Sequence, residues 1–340
     1  MNAKFTVKKR RGRVNANIDL EQSLEKFLDS RRLANRSEKT IKTYRQSIGK
    51  FIEWLGENGL KLTPDSITEY IRYLQFEKQR WDDHPTSPNG GTGISPRTIN
   101  NIVRNLKVFC NYLYKERIIP ELPTTNVTYQ KESNDTFEVF SDEDVMNLLS
   151  APNQRVYTGF RDYVMMLVLT DTGMRISEMT GVKLSDVDFG SRQIYIRAEN
   201  AKTRIGRLVP FSARTAKEID KLNDMTGAED DDYIFMTQFG ERYYADTFAK
   251  MLKKYGKKAG LTGVRVSPHT FRNYMAIKYL KNGGDPFSLM RILGHTDMSM
   301  TSRYVKYSNV DINSFHEIAS PVRSLLDKGN SRKRGTKRFK

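Results

Sequence analysis

The sequence predicts a mainly helical protein in two parts: an N-terminal helical domain, then an α+β domain with a small antiparallel sheet. Three observations predict it. The 340 residues exceed what one hydrophobic core usually organises. Four apolar stripes at helical spacing occupy the segment from Asp19 to Glu116. The remainder interleaves helical stripes with two short runs that read as strands.

The elements follow in order. Residues 1–18 hold six basic residues (Lys4, Lys8, Lys9, Arg10, Arg11, Arg13) and no acid, which predicts a self-repelling arm with little to bury. Leu20, Leu24, Phe27 and Leu28 form the first helical stripe, and Ile41, Tyr44, Ile48, Phe51, Ile52 and Leu55 the second, which Gly56 and Gly59 stop. Ile67, Tyr70, Ile71 and Leu74 follow Pro64 as a third. Residues 82–97 carry three prolines and three glycines and read as a loop. Ile99, Ile102, Val103, Leu106 and Phe109 make a fourth helix ending near Pro120. Residues 19–118 thus form a compact helical domain. Residues 119–138, aperiodic and rich in Thr, Asn and Pro, read as a linker.

A helix start at Ser141, with acids in the first turn, opens the second domain, 139–320. Helices are predicted over Arg161–Thr172 and, after Gly173, Arg175–Val182. Gln193–Arg197 and Arg207–Phe211 read as paired strands. Helices follow around Thr215–Leu222, Asp246–Lys258, Thr270–Leu280, Pro286–Leu293 and Ser299–Tyr304. Residues 321–340 form a tail whose last twelve positions again hold six basic residues.

Composition narrows the function. With 57 Lys+Arg against 40 Asp+Glu, the net charge is +17, so a polyanionic partner is expected. Twelve of these charges come from residues 1–18 and 329–340, which leaves +5 for residues 19–328. The arms should therefore set the salt dependence of binding and leave the chemistry to the domains. The longest apolar run, Tyr163–Leu169, is too short to span a bilayer, and the N-terminus has no apolar signal segment. The single cysteine, Cys110, excludes an intrachain disulfide and, on a helical apolar face, is expected to be buried. A cytoplasmic protein without membrane attachment is the expectation. Asp230, Asp231 and Asp232 are consecutive and read as a solvated turn; no zinc spacing and no phosphate-cradling glycine loop occurs. No cofactor and no metal is expected.

Four histidines are present. His84 lies in the Pro/Gly loop and His316 beyond the other motifs; both read as surface residues. His269 and Arg272 are three apart at a helix start and share a face. His295 falls at a turn, with Tyr304 nine residues later. Each feature alone has an ordinary structural reading. In order, however, TGMRISEM (172–179), AKTRIGRLVPF (201–211), HTFRNYMA (269–276) and LGHTDMSMTSRYV (293–305) form a specific set.

Together these stretches resemble the tyrosine recombinase family, the site-specific DNA recombinases and phage-type integrases, over nearly the whole chain. The resemblance implies a core-binding helical domain, a catalytic domain and six site residues: Arg175, Lys202, His269, Arg272, His295 and Tyr304. Lys202 lacks the glycines that often flank the hairpin lysine, so Arg204 and Lys183 are rival cations. Tyr307 is a rival nucleophile one turn after Tyr304. Asn273 stands where a second histidine commonly follows the arginine, a position the resemblance treats as non-catalytic.

The chemistry suits these residue types. Guanidiniums stay charged and offer planar forks to phosphate oxygens, each transition-state donor being worth about 3–4 kcal/mol. A phosphotyrosyl ester conserves the energy of the cleaved bond for rejoining. The resemblance implies double-stranded DNA as partner and a homo-tetramer on DNA, with room for accessory proteins; within it, the long 82–97 loop and both basic tails hint at a mobile-element enzyme, in competition with phage integration and chromosome-dimer resolution. The rival readings are a catalytically inactive DNA-binding regulator of the same fold and a type IB topoisomerase-like relaxing enzyme. Apolar positions Ile312, Phe315, Ile318, Val322, Leu325 and Leu326 suit docking on a neighbouring protomer.

Overall fold

The computed structural model describes residues 18–80, 91–132, 138–308, 316 and 320–322. The N-terminal arm up to residue 17, positions 82–90 of the loop including His84, the basic tail from 323, and Ile312, Phe315, Ile318, Leu325 and Leu326 lie outside the described residues. Of the predicted docking positions only Val322 is described, and it is exposed, as is His316. The chain divides into two compact units, residues 1–135 and 136–340.

The first unit is built on four helices: α1 (Leu20–Leu33), α2 (Glu38–Glu57), α3 (Pro64–Phe76) and α4 (Pro96–Lys115). Each begins at a short polar N-cap (Asp19, Ser37, Thr63, Ser95) whose side chain accepts a first-turn amide. The predicted stripes turn inward: Phe27, Ile41, Ile48, Phe51, Ile67, Leu74, Ile99 and Phe109 share one core. Cys110 is buried in it, and burial pushes its thiol up to about 12, which makes it inert. The segment after α4 packs back on that helix: the Gln130 amide donates to Asn100 Oδ1 at 2.8 Å, and Asn100 Nδ2 returns a bond to the Gln130 carbonyl.

The second unit begins with α5 (Asp142–Ser150), opened by a capping box between Ser141 and Asp144, and α6 (Tyr157–Thr172). Helix α6 buries residues on all sides, Val164, Met165, Met166, Val168 and Leu169 among them, and is the core's central rod. The helix predicted over Arg175–Val182 is shorter, α7 (Ile176–Met179). Beyond it the backbone finds other partners: the Ile234 amide donates to the Val182 carbonyl, and Lys183 bridges Tyr233. The sheet has three strands, β1 (Val187–Asp188), β2 (Gln193–Ile196) and β3 (Arg207–Pro210), antiparallel in that order, with Ile196 opposite Arg207. The sequence reading omitted β1, because two residues are too few for a period. Ile194, Ile196 and Val209 face the core, while Tyr195 and Leu208 face out. Helices α8 (Ala213–Thr226), α9 (Ala245–Lys258), α10 (Pro268–Lys281), α11 (Pro286–Leu293) and α12 (Met298–Ser308) complete the unit, with α10 packed on α6, α11 and α12. Among the described residues, no helix is long and apolar enough to cross a membrane.

Candidate active site

The site grows around the C-terminal end of α11. A helix ends with carbonyls that lack intrahelical partners and with partial negative charge. Gly294 stops α11 in the left-handed conformation (φ +63°), and a Cβ there would lie 2.9 Å from Arg207 Cζ. The terminal carbonyls are therefore open to guanidiniums. Arg207 Nε donates to the Ile292 carbonyl at 2.8 Å. Arg272 Nη2 and Arg175 Nη1 donate to the Leu293 carbonyl at 2.7 and 3.4 Å. Two arginines that lie far apart in sequence thus converge on one oxygen.

Three neighbouring cations need compensation, and the helix dipole is only part of it. Glu178, whose side chain has no solvent exposure, accepts from Arg175 Nη1 (2.9 Å), the Arg175 amide (2.9 Å), Arg207 Nη1 (3.1 Å) and Arg207 Nη2 (2.7 Å). Burial pushes the Glu178 carboxyl up, but the bonds and charges of Arg207 and Arg175 outweigh it and hold the pKa below its ordinary value. The carboxylate sets the aim of both guanidiniums.

Gly173 ends α6 in the same way (φ +60°), its Cα approaching Leu293 and Met275 so closely that a Cβ would meet them at 2.9 and 3.0 Å. This places Arg175 at the start of α7, while the Gly173 carbonyl accepts Arg272 Nη1 at 2.8 Å. Arg272 is 4% exposed. Burial, then the charge of Arg175, lowers its pKa to about 10, which leaves it charged at neutral pH.

His295 follows Gly294. A guanidinium only donates, so the 3.0 Å contact between Arg272 Nη2 and His295 Nε2 places the ring proton on Nδ1, which donates to Thr301 Oγ1 at 2.9 Å. Burial, and then Arg272, Arg175 and Arg207, lower the His295 pKa to about 4. Its ring lies parallel to that of Tyr304, with centroids 6.1 Å apart. Tyr304 on α12 is 5% exposed and donates to Asn273 Oδ1 at 3.1 Å. Burial raises its pKa, against the lowering influence of Arg272 and Arg303. Tyr307, the rival nucleophile, is 43% exposed on the outer side of the same helix.

The structure thus brings Arg175, Arg272, His295 and Tyr304 together. His269 stands one turn before Arg272 at the exposed start of α10, behind Pro268. Desolvation, then the charges of Arg272, Arg265, Arg303 and Arg175, lowers its pKa from the ordinary 6.5, which favours the neutral, proton-accepting imidazole. Lys202 is exposed in the 197–206 connection of the hairpin and makes no hydrogen bond or ion pair among the described residues. Of its rivals, Lys183 is ion-paired with Asp231 at 3.0 Å, and Arg204 sits exposed in the same connection as Lys202.

Sequence reasoning missed Glu178, Arg207, Asn273 and Thr301 as parts of this site. A signal existed for the first, since Glu178 lies three residues after Arg175 at a helix start. Arg207 stands in the sequence only as the first residue of a strand, and nothing in its local sequence points inward.

The comparisons with known proteins agree with this architecture. Residues 138–309 match the phage integrase family, and residues 24–120 match the phage integrase N-terminal SAM-like domain. The chain is 30% identical over 260 residues to a tyrosine recombinase XerC of Chlamydia caviae, covering 76% of this chain and 78% of that protein. It is 26% identical over 299 residues to a tyrosine recombinase XerD of Pseudomonas aeruginosa, covering 86% and 95%. The fold is similar to the Tn1549 transposon integrase solved with a circular intermediate DNA (TM-score 0.66, 19% identity, 92% of this chain and 100% of that one). It is also similar to a lambda integrase dimer bound to a COC′ core site (TM-score 0.64, 18% identity, 83% and 96%). With both matched patterns in order along one chain, this protein belongs to the phage integrase family and is a tyrosine recombinase.

Proposed function

We propose that this chain cuts and rejoins double-stranded DNA at specific sites through a covalent 3′-phosphotyrosyl link to Tyr304, acting as a homo-tetramer for a mobile element. The observation that carries the reading is the shared Leu293 carbonyl, which holds Arg175 and Arg272 beside His295 and Tyr304. A phosphodiester entering there would offer the guanidiniums charged oxygens in place of a carbonyl. The two guanidiniums would neutralise the charge that grows on the non-bridging oxygens.

In the cleavage step the Tyr304 Oη–P bond forms and the P–O5′ bond breaks. The phenol proton passes to neutral His269, and the leaving 5′-oxygen takes a proton from Lys202. His295 as it stands is an acceptor through Nε2. For His295 to donate to the phosphate instead, Arg272 Nη2 turns to the anion and Nε2 gains a proton, which a nearby anion favours. Strand exchange is the reverse step, with the 5′-hydroxyl of another strand as nucleophile.

Residues 19–118 would bind the core site, residues 119–138 link it to the catalytic domain 139–320, and the lysines of α9 would contact phosphates. The tetramer is supported by a lambda integrase of similar fold, solved as a tetramer bound to a Holliday junction. The mobile-element setting is supported by the two basic ends and the long 82–97 loop in the sequence, and by the fold likeness to a transposon integrase.

The test is covalent capture. Duplexes selected from a randomised pool by binding to the full chain are nicked to trap the intermediate, and adducts are read on a denaturing gel. Wild type and Tyr307→Phe form the adduct, and Tyr304→Phe forms none while binding normally. An adduct that survives Tyr304→Phe refutes the nucleophile. No wild-type adduct supports the binding-only reading, and relaxation of plasmid DNA without site preference supports the topoisomerase-like one.

A further inference from the structure

We propose that Asn273 positions the Tyr304 hydroxyl for attack, and that the Glu138 backbone carbonyl orients Asn273 for this; the inference rests on Tyr304 being the nucleophile. Asn273 follows Arg272 directly on α10, so one helix aims both the guanidinium and the amide at the tyrosine. Asn273 is 7% exposed, and a buried amide is costly unless both its ends are bonded. Both ends have partners. Nδ2 can only donate and reaches the Glu138 carbonyl at 3.5 Å, the long limit of a hydrogen bond. Oδ1 is thereby turned to accept the Tyr304 hydroxyl at 3.1 Å. The swapped orientation would set the amide oxygen against the Glu138 carbonyl oxygen, two acceptors with no proton between them.

The consequence is a held but unreacted nucleophile. An amide oxygen accepts a hydrogen bond and takes no proton, so the phenol stays neutral until a base reaches it. The Oη lone pairs remain directed away from Asn273, and the hydroxyl already lies within the influence of Arg272. Fixing the phenol in this pose removes rotational freedom that would otherwise be lost on the way to the transition state. The charged and titratable groups acting on Tyr304 include Arg272 on α10, Arg175 before α7, His295 after α11 and Arg303 on α12 itself, with His269 at the start of α10 as the base proposed to take its proton. The one neutral acceptor among them, His295 Nε2, is already engaged by Arg272 Nη2 at 3.0 Å.

The experiment uses the full chain and the selected, nicked duplex, with first-turnover cleavage measured against pH beside DNA affinity. Asn273→Leu removes the acceptor and lowers the cleavage rate about fivefold to tenfold with affinity unchanged. Its alkaline inflection moves to lower pH, because the bond favouring the neutral phenol is gone. Asn273→Asp keeps the shape and adds a negative charge, so its inflection moves to higher pH. The inference is overturned if both variants keep the wild-type rate and inflection, or if both lose rate with the inflection unmoved, as a purely structural residue would. Should Asn273→Leu not fold, the isosteric Asn273→Asp decides by the same two outcomes. Loss of the adduct in Tyr304→Phe with unmoved Asn273 profiles refutes this inference alone; an adduct surviving Tyr304→Phe refutes the nucleophile first.

Discussion

Glu178→Gln tests how the arginine cluster is held together. The side chains have the same shape, so packing is conserved and only charge and one acceptor change. In the wild type, the two Glu178 oxygens accept four N–H donors between 2.7 and 3.1 Å from two buried or half-buried arginines. Glutamine offers one oxygen, so half of these donors would face an NH2 group, and the cations would lose their counter-charge. Breaking a buried pair from one side costs about 3–5 kcal/mol. That is a large share of the stability of a domain, about 5–15 kcal/mol. Both tryptophans, Trp54 and Trp81, precede residue 136, so tryptophan fluorescence reports the first unit while circular dichroism reports both. In urea, the fluorescence transition should stay in place while the second unit's transition moves down. Cleavage should fall about 100-fold to 1000-fold as Arg175 loses its aim, the scale of one misplaced transition-state donor. The pH dependence has a definite sign. The folded-state pKa of Glu178 lies below the ordinary 4.5, so its stabilisation is present above 4.5 and is lost as pH falls through the lower folded value. The gap between wild type and variant should therefore narrow in acid. A shift of the second unit below about 1 kcal/mol, with cleavage within about threefold of wild type, would refute the clamp.

Lys202→Ala should lose about 100-fold or more in cleavage of ordinary DNA and recover most of it with a 5′-bridging sulfur, whose departure needs no proton; no recovery removes Lys202 as the acid. The lowered His295 pKa, about 4 against an ordinary 6.5, means that the unfolded chain takes up this proton first. Stability should thus decline from pH 6.5 towards 4, and unfolding of His295→Gln followed against pH should show a shallower decline. Gly294→Ala meets both a left-handed backbone and the Arg207 guanidinium at 2.9 Å, whereas Gly227→Ala meets the same backbone (φ +61°) with open space around it. Each should cost about 1–2 kcal/mol in backbone strain, and only Gly294→Ala should also impair cleavage, as paired melts and cleavage assays will show.

Local elements were legible because their signals are local. Ser141 and the Pro64 and Pro286 starts mark helices where the structure has them, whereas Pro96, read within the 82–97 loop, and Pro268, ahead of the predicted Thr270 start, in fact open α4 and α10. The alternation of Ile194 and Ile196 with Tyr195 marks a strand. Reading failed where a partner from elsewhere decides. The stretch after Met179 leaves the helix because residues 233–234 supply its backbone bonds, and β1 is a strand only through Gln193 and Ile194. The motif residues could be named in order, since each carries its own chemistry, but not their mutual contacts.

The sequence by itself determined the helical framework, the basic ends, and the Arg, His and Tyr residues that a phosphodiester reaction needs. Tertiary structure decided what surrounds them. It gathers Arg175, Arg207 and Arg272 at the end of α11 because terminal carbonyls and buried Glu178 together offset three positive charges. It also turned Asn273, a departure from the motif that the resemblance treats as non-catalytic, towards the Tyr304 hydroxyl. The physical reason is range. Capping and periodicity act within a few residues, whereas charge compensation in a buried site depends on groups that approach only after the chain has folded.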